Sequence, residues 1–291
     1  MADGAYIAVD WGTTNRRAYL IGSDGTVHDE MADGAGVLSL TPEDYPSEID
    51  RLRRRFGVDR VLAAGMVGSN RGWIVAPYVD APADLDALAA AAVTPAAGVR
   101  LVPGIAVRRG GRADVMRGEE VQAFGAIAAG TVGDEALLCQ PGTHCKWIRM
   151  EGSRIADVST ALTGELFALL RTHGTLAGML DGTVADGATF RDGVARGAGA
   201  TDLLDALFEV RASVLLDQRD PAEAAAYASG VLIGADVGAR DLGERPVALL
   251  ASGTLATLYA AAIAALGGTS VAVDSKAAFV AGVHAVHGRL E

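Results

Sequence analysis

The chain has 291 residues and a formal net charge of −11 at pH 7, and 50% of its residues are hydrophobic. A chain of this length can bury the cores of two domains. Its acidic balance argues against a nucleic-acid partner, which would need a basic face. No apolar run reaches the roughly 18 uncharged residues of a membrane-spanning helix, and the first residues lack the pattern of a secretory signal. We therefore expect a cytoplasmic protein that binds neither nucleic acid nor membrane.

The first half of the chain predicts alternating strands and helices. Residues 5–9 and 17–21 predict two strands joined by a polar turn, and Asp24-Gly25 predicts a hairpin to a third strand near Val27. The apolar periodicity then predicts a helix over 42–55, a buried strand over 61–64, a helix over 83–92 and further strand structure over 99–107. This alternation is typical of an α/β fold.

A second strand-turn-strand unit is predicted over 136–150, after a helix from Glu119 to Gly130. It repeats the plan of the opening, because an apolar strand again ends in Gly-Thr and then resumes with a basic residue and an apolar run. The other elements predicted in the second half are helices over 163–171, 202–214, 221–237 and 255–266 and strands over 247–251 and 270–273. We predict two facing domains with a boundary near residue 120.

The two cysteines, Cys139 and Cys145, flank the turn of this second unit. They are too few for a disulfide framework and lack the paired spacing of a zinc site. A reducing cytosol keeps thiols reduced. We therefore predict a structural, reduced pair, although the spacing would let the two side chains face each other.

The first turn lies in DWGTTN, residues 10–15. Glycine lets the backbone approach an anion, so Gly12 with the hydroxyls of Thr13 and Thr14 can form a nest for phosphate oxygens. Asp10 would repel a phosphate unless a divalent cation lay between them, and Mg²⁺ suits such a position. The other interpretation is an ordinary hairpin loop with a solvated aspartate, and this turn alone does not exclude it.

The second turn lies in PGTHCKW, residues 141–147, and favours phosphate binding at both turns. Gly142 and Thr143 can do for one phosphate what the first turn does for another, and Lys146 supplies a mobile cation. His144 either donates to a phosphate or caps the turn. Neither turn is a Walker A loop, since that motif occurs nowhere in the sequence.

Two glutamates, Glu119 and Glu120, follow a glycine at a predicted helix start. Phosphoryl transfer to an alcohol uses a base near the hydroxyl, usually a carboxylate. Acidic residues in the first turn of a helix also simply complement the helix dipole. At least one of the two glutamates is expected to have only that role.

A mixed set of polar side chains follows the predicted strand at 61–64. Ser69 and Asn70 can hydrogen-bond hydroxyl groups, and Arg71 can bind a carboxylate through two parallel hydrogen bonds. This set suits a polyol or a sugar acid. The other interpretation is a plain surface loop.

Residues 249–263, LLASGTLATLYAAAI, predict a strand, a turn of small residues and a helix. Small residues there let a flat ring or a phosphate approach the helix N-terminus. Close packing of the strand on the helix would explain the same pattern.

The ordered set DWGTTN, GMVGSNRGW, MRGEE, PGTHCKW, TGE (163–165) and ASGT resembles the 2-dehydro-3-deoxygalactonokinase family, from about residue 5 to about residue 285. That family belongs to the sugar kinase, heat-shock ATPase and actin superfamily. The resemblance implies two domains of the ribonuclease H-like, actin-like ATPase type, 1–120 and 121–291, with an active-site cleft between them. It also implies ATP-dependent phosphorylation of the 6-hydroxyl of 2-dehydro-3-deoxy-D-galactonate in galactonate catabolism.

The resemblance also implies how the cofactors are bound. Asp10 is expected near Mg²⁺, and the two Gly-Thr turns are expected to hold the phosphates of ATP, with His144 and Lys146 at the second. The ASGT segment corresponds to the adenosine segment of the superfamily, which places Ser252 and Gly253 near the nucleotide. The first domain would then carry the sugar-acid site and the second the adenosine site.

The catalytic base departs from the superfamily pattern. Related sugar kinases carry a catalytic aspartate in a Gly-Asp-Gln motif, and this chain has Gly118-Glu119-Glu120 at the equivalent place. Glu119 therefore takes the position of the aspartate, and its side chain reaches one methylene further. Glu120 and Asp10 remain alternatives for the base.

The implied substrate residues are Ser69, Asn70, Glu120 and either Arg16 or Arg71. The motifs do not fix the stereochemistry of the sugar acid, and they allow a homodimer. A kinase for another 2-keto-3-deoxy acid or for a neutral sugar would have the same fold. A nucleotide hydrolase of the superfamily and a non-catalytic nucleotide-dependent regulator are further alternatives.

Overall fold

The computed structural model describes residues 4–199 and 201–290. Its strands are β1 (Tyr6–Trp11), β2 (Arg16–Ile21), β3 (Val27–Asp33), β4 (Val61–Gly65), β5 (Tyr78–Asp80), β6 (Val93–Ala96), β7 (Val99–Leu101), β8 (Gly104–Arg109), β9 (Arg112–Met116), β10 (Ala136–Gln140), β11 (Cys145–Glu151), β12 (Arg154–Ala161), β13 (Val247–Leu249) and β14 (Ser270–Ala272). Its α-helices are α1 (Tyr45–Phe56), α2 (Leu85–Ala90), α3 (Glu119–Ala128), α4 (Thr163–Thr172), α5 (Ala188–Ala198), α6 (Leu203–Leu215), α7 (Ala224–Gly238), α8 (Gly253–Ala265) and α9 (Ser275–Leu290). Within these residues, no helix combines the length and apolar character needed to cross a membrane.

The described residues form two compact units. The first unit contains 4–135, 148–158 and 275–290, and the second contains the described parts of 136–147 and 159–274. The chain therefore passes more than once between the units. The single boundary predicted at residue 120 differs from this division, because it falls inside α3, and α3 packs against α9 within the first unit.

The largest sheet has the strand order β3-β2-β1-β4-β7-β6. The strands β1 and β2 are antiparallel, and β1 and β4 are parallel, with Trp11 opposite Gly65. The carboxyl ends of parallel strands lie at the same edge of a sheet. The turn after β1 and the loop after β4 therefore emerge together. Behind them, Val9 and Trp11 pack against Tyr45 and Leu52 of α1 in a buried core.

The second sheet has the order β12-β11-β10-β13-β14. The strands β10, β13 and β14 are parallel to one another. This order repeats that of β3-β2-β1-β4-β7, in which a meander of three strands is followed by two strands parallel to its first strand. The first Gly-Thr turn (residues 12–15) joins β1 to β2, and the second Gly-Thr turn (residues 141–144) joins β10 to β11. The predicted α/β fold and its repeated plan are confirmed.

Each unit also contains a pair of helices in close contact. In the first unit, a methyl group added at Gly125 of α3 would collide with the carbonyl of Ala278 on α9. In the second, a methyl group at Gly193 of α5 would collide with the carbonyl of Tyr227 on α7. No helix is predicted from the sequence at α5 or α9, whereas α3 and α7 are predicted although they also contain glycine. The glycines let each pair of helices pack at backbone contact.

Candidate active site

The first Gly-Thr turn is supported from behind by the segment that follows β3. The N–H of Gly12 donates to the carbonyl of Asn15 (2.9 Å), and two N–H groups of that segment donate to the carbonyls of Gly12 and Thr13 (3.1 Å each). A methyl group at Gly36 would collide with the backbone of Thr13 and Thr14. The two threonine side chains are exposed. The turn is thus a fixed loop that presents hydroxyl groups to solvent.

Asp10 and Glu119 lie close enough to interact electrostatically. About a quarter (24%) of the Asp10 side chain is exposed, and its Oδ2 is 3.9 Å from Nη1 of Arg17. Burial raises the pKa of Asp10 to about 6, Arg17 opposes the rise, and the charge of Glu119 adds to it. The end of β1 and the start of α3 therefore bring two carboxylates near each other.

Two glycines bring these segments together. Gly65 at the end of β4 and Gly118 before α3 have φ angles of +95° and +105°. A methyl group at Gly118 would lie 3.1 Å from Cα of Gly65, and a methyl group at Gly65 would lie 2.8 Å from the carbonyl oxygen of Trp11. Only glycine meets both requirements, a positive φ and a close backbone approach. This contact positions Glu119.

The two glutamates of the motif have different environments. Glu119 is partly exposed, and its carboxylate accepts the N–H of Arg117 at 2.9 Å. Glu120 is fully buried, and both of its oxygens accept the N–H of Gly118, at 2.9 and 2.7 Å. Burial, and then the charge of Glu119, raises the pKa of Glu120 to about 8. This geometry favours Glu119 as the base and a helix-capping role for Glu120.

The loop after β4 holds the side chains predicted to bind a sugar acid. Ser69 is buried, and its Oγ accepts the N–H of Arg71 at 3.2 Å. Asn70 and Arg71 are exposed. Ser69 therefore shapes the loop, and the other two side chains extend into solvent.

Arg16 is placed differently from a substrate ligand. Its side chain has no exposed surface. Its Nε and Nη2 donate to Asp33 at 3.2 and 2.7 Å, and its Nη1 donates to Glu48 at 2.8 Å. These ion pairs engage the whole guanidinium group. Of the two arginines that the sequence offers for the carboxylate, the geometry favours Arg71.

Arg117 is a residue that the sequence reasoning missed. It is 7% exposed, its Nη2 donates to the carbonyl of Ala76 at 2.8 Å, and its guanidinium lies 4.3 Å from the centroid of the Tyr78 ring. In the described part of the chain, its buried Nε and Nη1 have no hydrogen-bond partner. Arg117 thus connects the loop at 66–76 to the segment that carries Glu119. Arginines are mostly exposed, so the sequence carries no signal for this burial.

The second Gly-Thr turn is fixed against the start of α4. A methyl group at Gly164 would collide with the carbonyl of Gly142, and the N–H of Glu165 donates to the carbonyl of Thr143 at 2.8 Å. His144 Nε2 is 2.7 Å from Glu165 Oε2. The TGE motif therefore supports this turn through its backbone and through its glutamate.

Lys146 differs from the mobile cation that the sequence predicts. It lies on β11, is only 7% exposed, and donates from Nζ to Thr160 Oγ1 at 2.9 Å. Its neighbours Cys145 and Trp147, which lie on the opposite face of the strand, are buried as well, so both faces of β11 are covered here. On the same hairpin, Cys139 and Cys145 are buried and free, with their sulfur atoms 3.7 Å apart.

A cavity of about 200 Å³ lies within the second unit. Its lining is mainly apolar and comes from the second turn, α4, α7 and α8, with one residue from the connection before α5: Gly142, Thr163, Gly164, Phe167, Val184, Ser229, Leu232, Ile233, Thr254, Leu255, Leu258 and Tyr259. Ser252 and Gly253 stand just before and at the first residue of α8, and both are exposed. An apolar cavity with a few polar groups suits a small organic ligand.

Comparison with known proteins identifies the family. A family model described as 2-keto-3-deoxy-galactonokinase matches residues 10–286. The chain is 35% identical over 286 residues to the 2-dehydro-3-deoxygalactonokinase of Escherichia coli (strain K12), covering 97% of each protein. It is 37% identical over 298 residues to a protein of Rhizobium meliloti (strain 1021) named a probable 2-dehydro-3-deoxygalactonokinase, covering 97% of this chain and 96% of that one.

Solved structures agree. A Sinorhizobium meliloti protein assigned as a 2-dehydro-3-deoxygalactonokinase superposes with a TM-score of 0.87 and 36% identity, covering 97% of this chain and 95% of that one. Component A of the (R)-2-hydroxyglutaryl-CoA dehydratase of Acidaminococcus fermentans shares the fold, with a TM-score of 0.51 and 14% identity over 98% and 97% of the two chains. The resemblance drawn from the motifs is confirmed, and the chain belongs to the 2-keto-3-deoxy-galactonokinase family.

Proposed function

We propose that this chain is an ATP-dependent kinase that phosphorylates the 6-hydroxyl of 2-dehydro-3-deoxy-D-galactonate. The activity named for its relatives supports this proposal. The observation that carries it is the presence of a Gly-Thr turn at the same place in two sheets of the same strand order. One turn adjoins the carboxylates of Asp10 and Glu119, and the other adjoins an apolar cavity. A phosphoryl-transfer enzyme needs both an acceptor site with a base and a nucleotide site.

Glu119 is the proposed general base. It accepts the proton of the 6-hydroxyl while that oxygen attacks the γ-phosphorus of ATP and ADP leaves. Its carboxylate is partly exposed and is positioned through the backbone of Arg117. Ser69, Asn70 and Arg71 hold the sugar acid, and the guanidinium of Arg71 pairs with the carboxylate of the substrate.

The residues of the first unit fit a magnesium ion. Asp10 offers the oxygen ligand that Mg²⁺ prefers, and a bound cation would offset the burial that raises its pKa. Among the described residues, no group of three or more His, Cys, Asp or Glu side chains could hold a metal. Asp10 would therefore hold the ion together with phosphate oxygens and water. When bound, Mg²⁺ supplies charge neutralisation to the phosphates.

The second unit is the proposed nucleotide site. The apolar cavity takes the adenine ring, with Ser252 and Gly253 near the adenosine. Gly142 and Thr143 hold phosphate oxygens, and His144 donates to them. Lys146 acts from its buried position through its positive charge rather than as a mobile ligand. We further propose that the enzyme acts in the cytoplasm, where ATP is available.

A coupled assay for ADP release tests the proposal. ATP consumption should require the sugar acid, and 2-dehydro-3-deoxy-D-galactonate should be preferred over other 2-keto-3-deoxy acids and neutral sugars. Replacing Glu119 by Gln should lower kcat by roughly 10²- to 10⁴-fold with little change in the KM for ATP. Near-normal turnover of that variant would exclude Glu119 as the base. Consumption of ATP without any acceptor would instead identify a nucleotide hydrolase.

A further inference from the structure

Asp236 lies on α7 with only 2% of its side chain exposed, and four side-chain donors converge on it. Its Oδ1 accepts from Nε1 of Trp147 (2.9 Å) and Nη2 of Arg240 (2.8 Å). Its Oδ2 accepts from the hydroxyls of Tyr259 (2.9 Å) and Thr163 (3.1 Å). These four bonds use the acceptor sites of an ionised carboxylate. The carboxylate is therefore fully hydrogen-bonded, and one of its donors, Arg240, also forms an ion pair with it.

Two of the four donors, Thr163 and Tyr259, belong to the helices that line the cavity of the second unit. Trp147 lies on β11 shortly after the second Gly-Thr turn, Thr163 is the first residue of α4, and Tyr259 lies on α8. The side chains of Thr163 and Tyr259 line the cavity themselves, whereas Asp236 is outside the lining. Gly164, next to Thr163, packs against the carbonyl of Gly142 in the turn. One carboxylate thus ties the turn and two cavity walls together.

We propose that Asp236 is a positioning residue for ATP, which holds the second Gly-Thr turn, the start of α4 and the wall formed by α8 in the geometry that binds the nucleotide. This inference rests on the nucleotide role proposed for the cavity. Stability alone would not require such a network, since well-packed apolar side chains often replace a buried ion pair without loss of stability. The network instead provides direction, because each hydrogen bond fixes the orientation of its donor.

Substitution of Tyr259 by Phe tests the proposal, because it removes one hydroxyl donor and keeps the ring in the cavity wall. Loss of a hydrogen bond to a charged group should raise the KM for ATP about tenfold. The KM for the sugar acid should stay within about twofold. Asp236→Asn should raise the KM for ATP further, since the amide cannot accept from all four donors. Tyr227→Phe is the matched control, because Tyr227 is a buried tyrosine of the same unit outside both the cavity and the network. It should change neither KM.

A thermal-shift experiment with adenylyl imidodiphosphate gives an independent measurement. The analogue should stabilise the wild type and the Tyr227 variant, and it should stabilise the Tyr259 variant less at equal concentration. A lowered melting temperature with an unchanged KM for ATP and an unchanged analogue shift would overturn the proposal, as would an equal rise of both KM values. If Asp236→Asn does not fold, the Tyr259 variant decides. A wild type that binds the analogue but does not phosphorylate the sugar acid refutes the proposed function alone, whereas a wild type that the analogue does not stabilise refutes the role of Asp236.

Discussion

Substitution of Gly118 by alanine tests whether the contact between two backbone segments sets the position of the base. Gly118 has a φ of +105°, and a methyl group there would lie 3.1 Å from Cα of Gly65. A side chain in such a conformation costs about 1–3 kcal/mol. Optimal carbon–carbon contacts lie at about 3.5–4.0 Å, so the two segments must separate by roughly half an ångström. Glu119 is the next residue and moves with Gly118. Because a misplacement of about 1 Å can cost 10²-fold in rate, we expect kcat to fall by roughly tenfold to a hundredfold.

Gly130, just beyond α3, provides the matched control. It has a φ of +67°, and no atom lies within 4 Å of an added methyl group. Alanine at Gly130 therefore adds backbone strain without a collision. Urea denaturation should show a loss of about 1–3 kcal/mol in the free energy of unfolding for each variant. The coupled ADP-release assay should show a lower kcat for the Gly118 variant only. Equal turnover of the two variants would refute the idea that this contact positions the base.

Three further predictions concern buried groups. Arg117→Lys should raise the KM for the sugar acid about tenfold in the same assay and leave the KM for ATP unchanged. The reason is that lysine cannot both donate to the carbonyl of Ala76 and stack on the ring of Tyr78. An equal effect on both KM values would contradict this prediction. Burial raises the pKa of Glu120 from 4.5 to about 8, so wild-type stability from this group falls as pH rises between these values. The unfolding free energy of Glu120→Gln minus that of the wild type should therefore increase with pH in this range, by up to about 1.4 kcal/mol per pH unit. Urea titrations in which this difference does not depend on pH would refute the raised pKa of Glu120. Finally, Cys139 and Cys145 are buried, and burial raises the pKa of the Cys139 thiol. The thiol reagent 5,5′-dithiobis(2-nitrobenzoate) should therefore modify neither cysteine in the native protein and both cysteines in guanidinium chloride. Rapid labelling of the native protein would instead show that the hairpin opens.

The features that the sequence predicts well have local causes. A glycine followed by a threonine at the end of an apolar strand predicts a turn from the local sequence alone. Both turns occur at the predicted places. The same holds for Glu119, whose position at the start of α3 follows from the glycine before it. The pairing of Asp10 with Glu119 needed the family resemblance, since the two residues lie 109 positions apart in the sequence.

The features that the sequence does not predict depend on distant partners. Arg16 follows a phosphate-type turn and suggests an anion ligand, but strand pairing and α1 bring Asp33 and Glu48 to it from 17 and 32 residues away. Gly282 of α9 leaves room for the backbone of α3, and this role is visible only once the two helices are packed together. Lys146 is buried and donates a hydrogen bond to Thr160 on the next strand. In each case tertiary contacts override the local pattern.

The glycine contact between α3 and α9 has a consequence for synthesis of the chain. Residues 4–135 of the first unit are made first, yet the face of α3 that contains Gly125 can meet α9 only after residues 275–290 have been made. The helices α5 and α7 of the second unit are complete well before that point. Domains usually fold in the order in which they are translated. Here the first unit gains the contact between α3 and α9 only after the helices of the second unit have been made, so the face of α3 around Gly125 waits for α9.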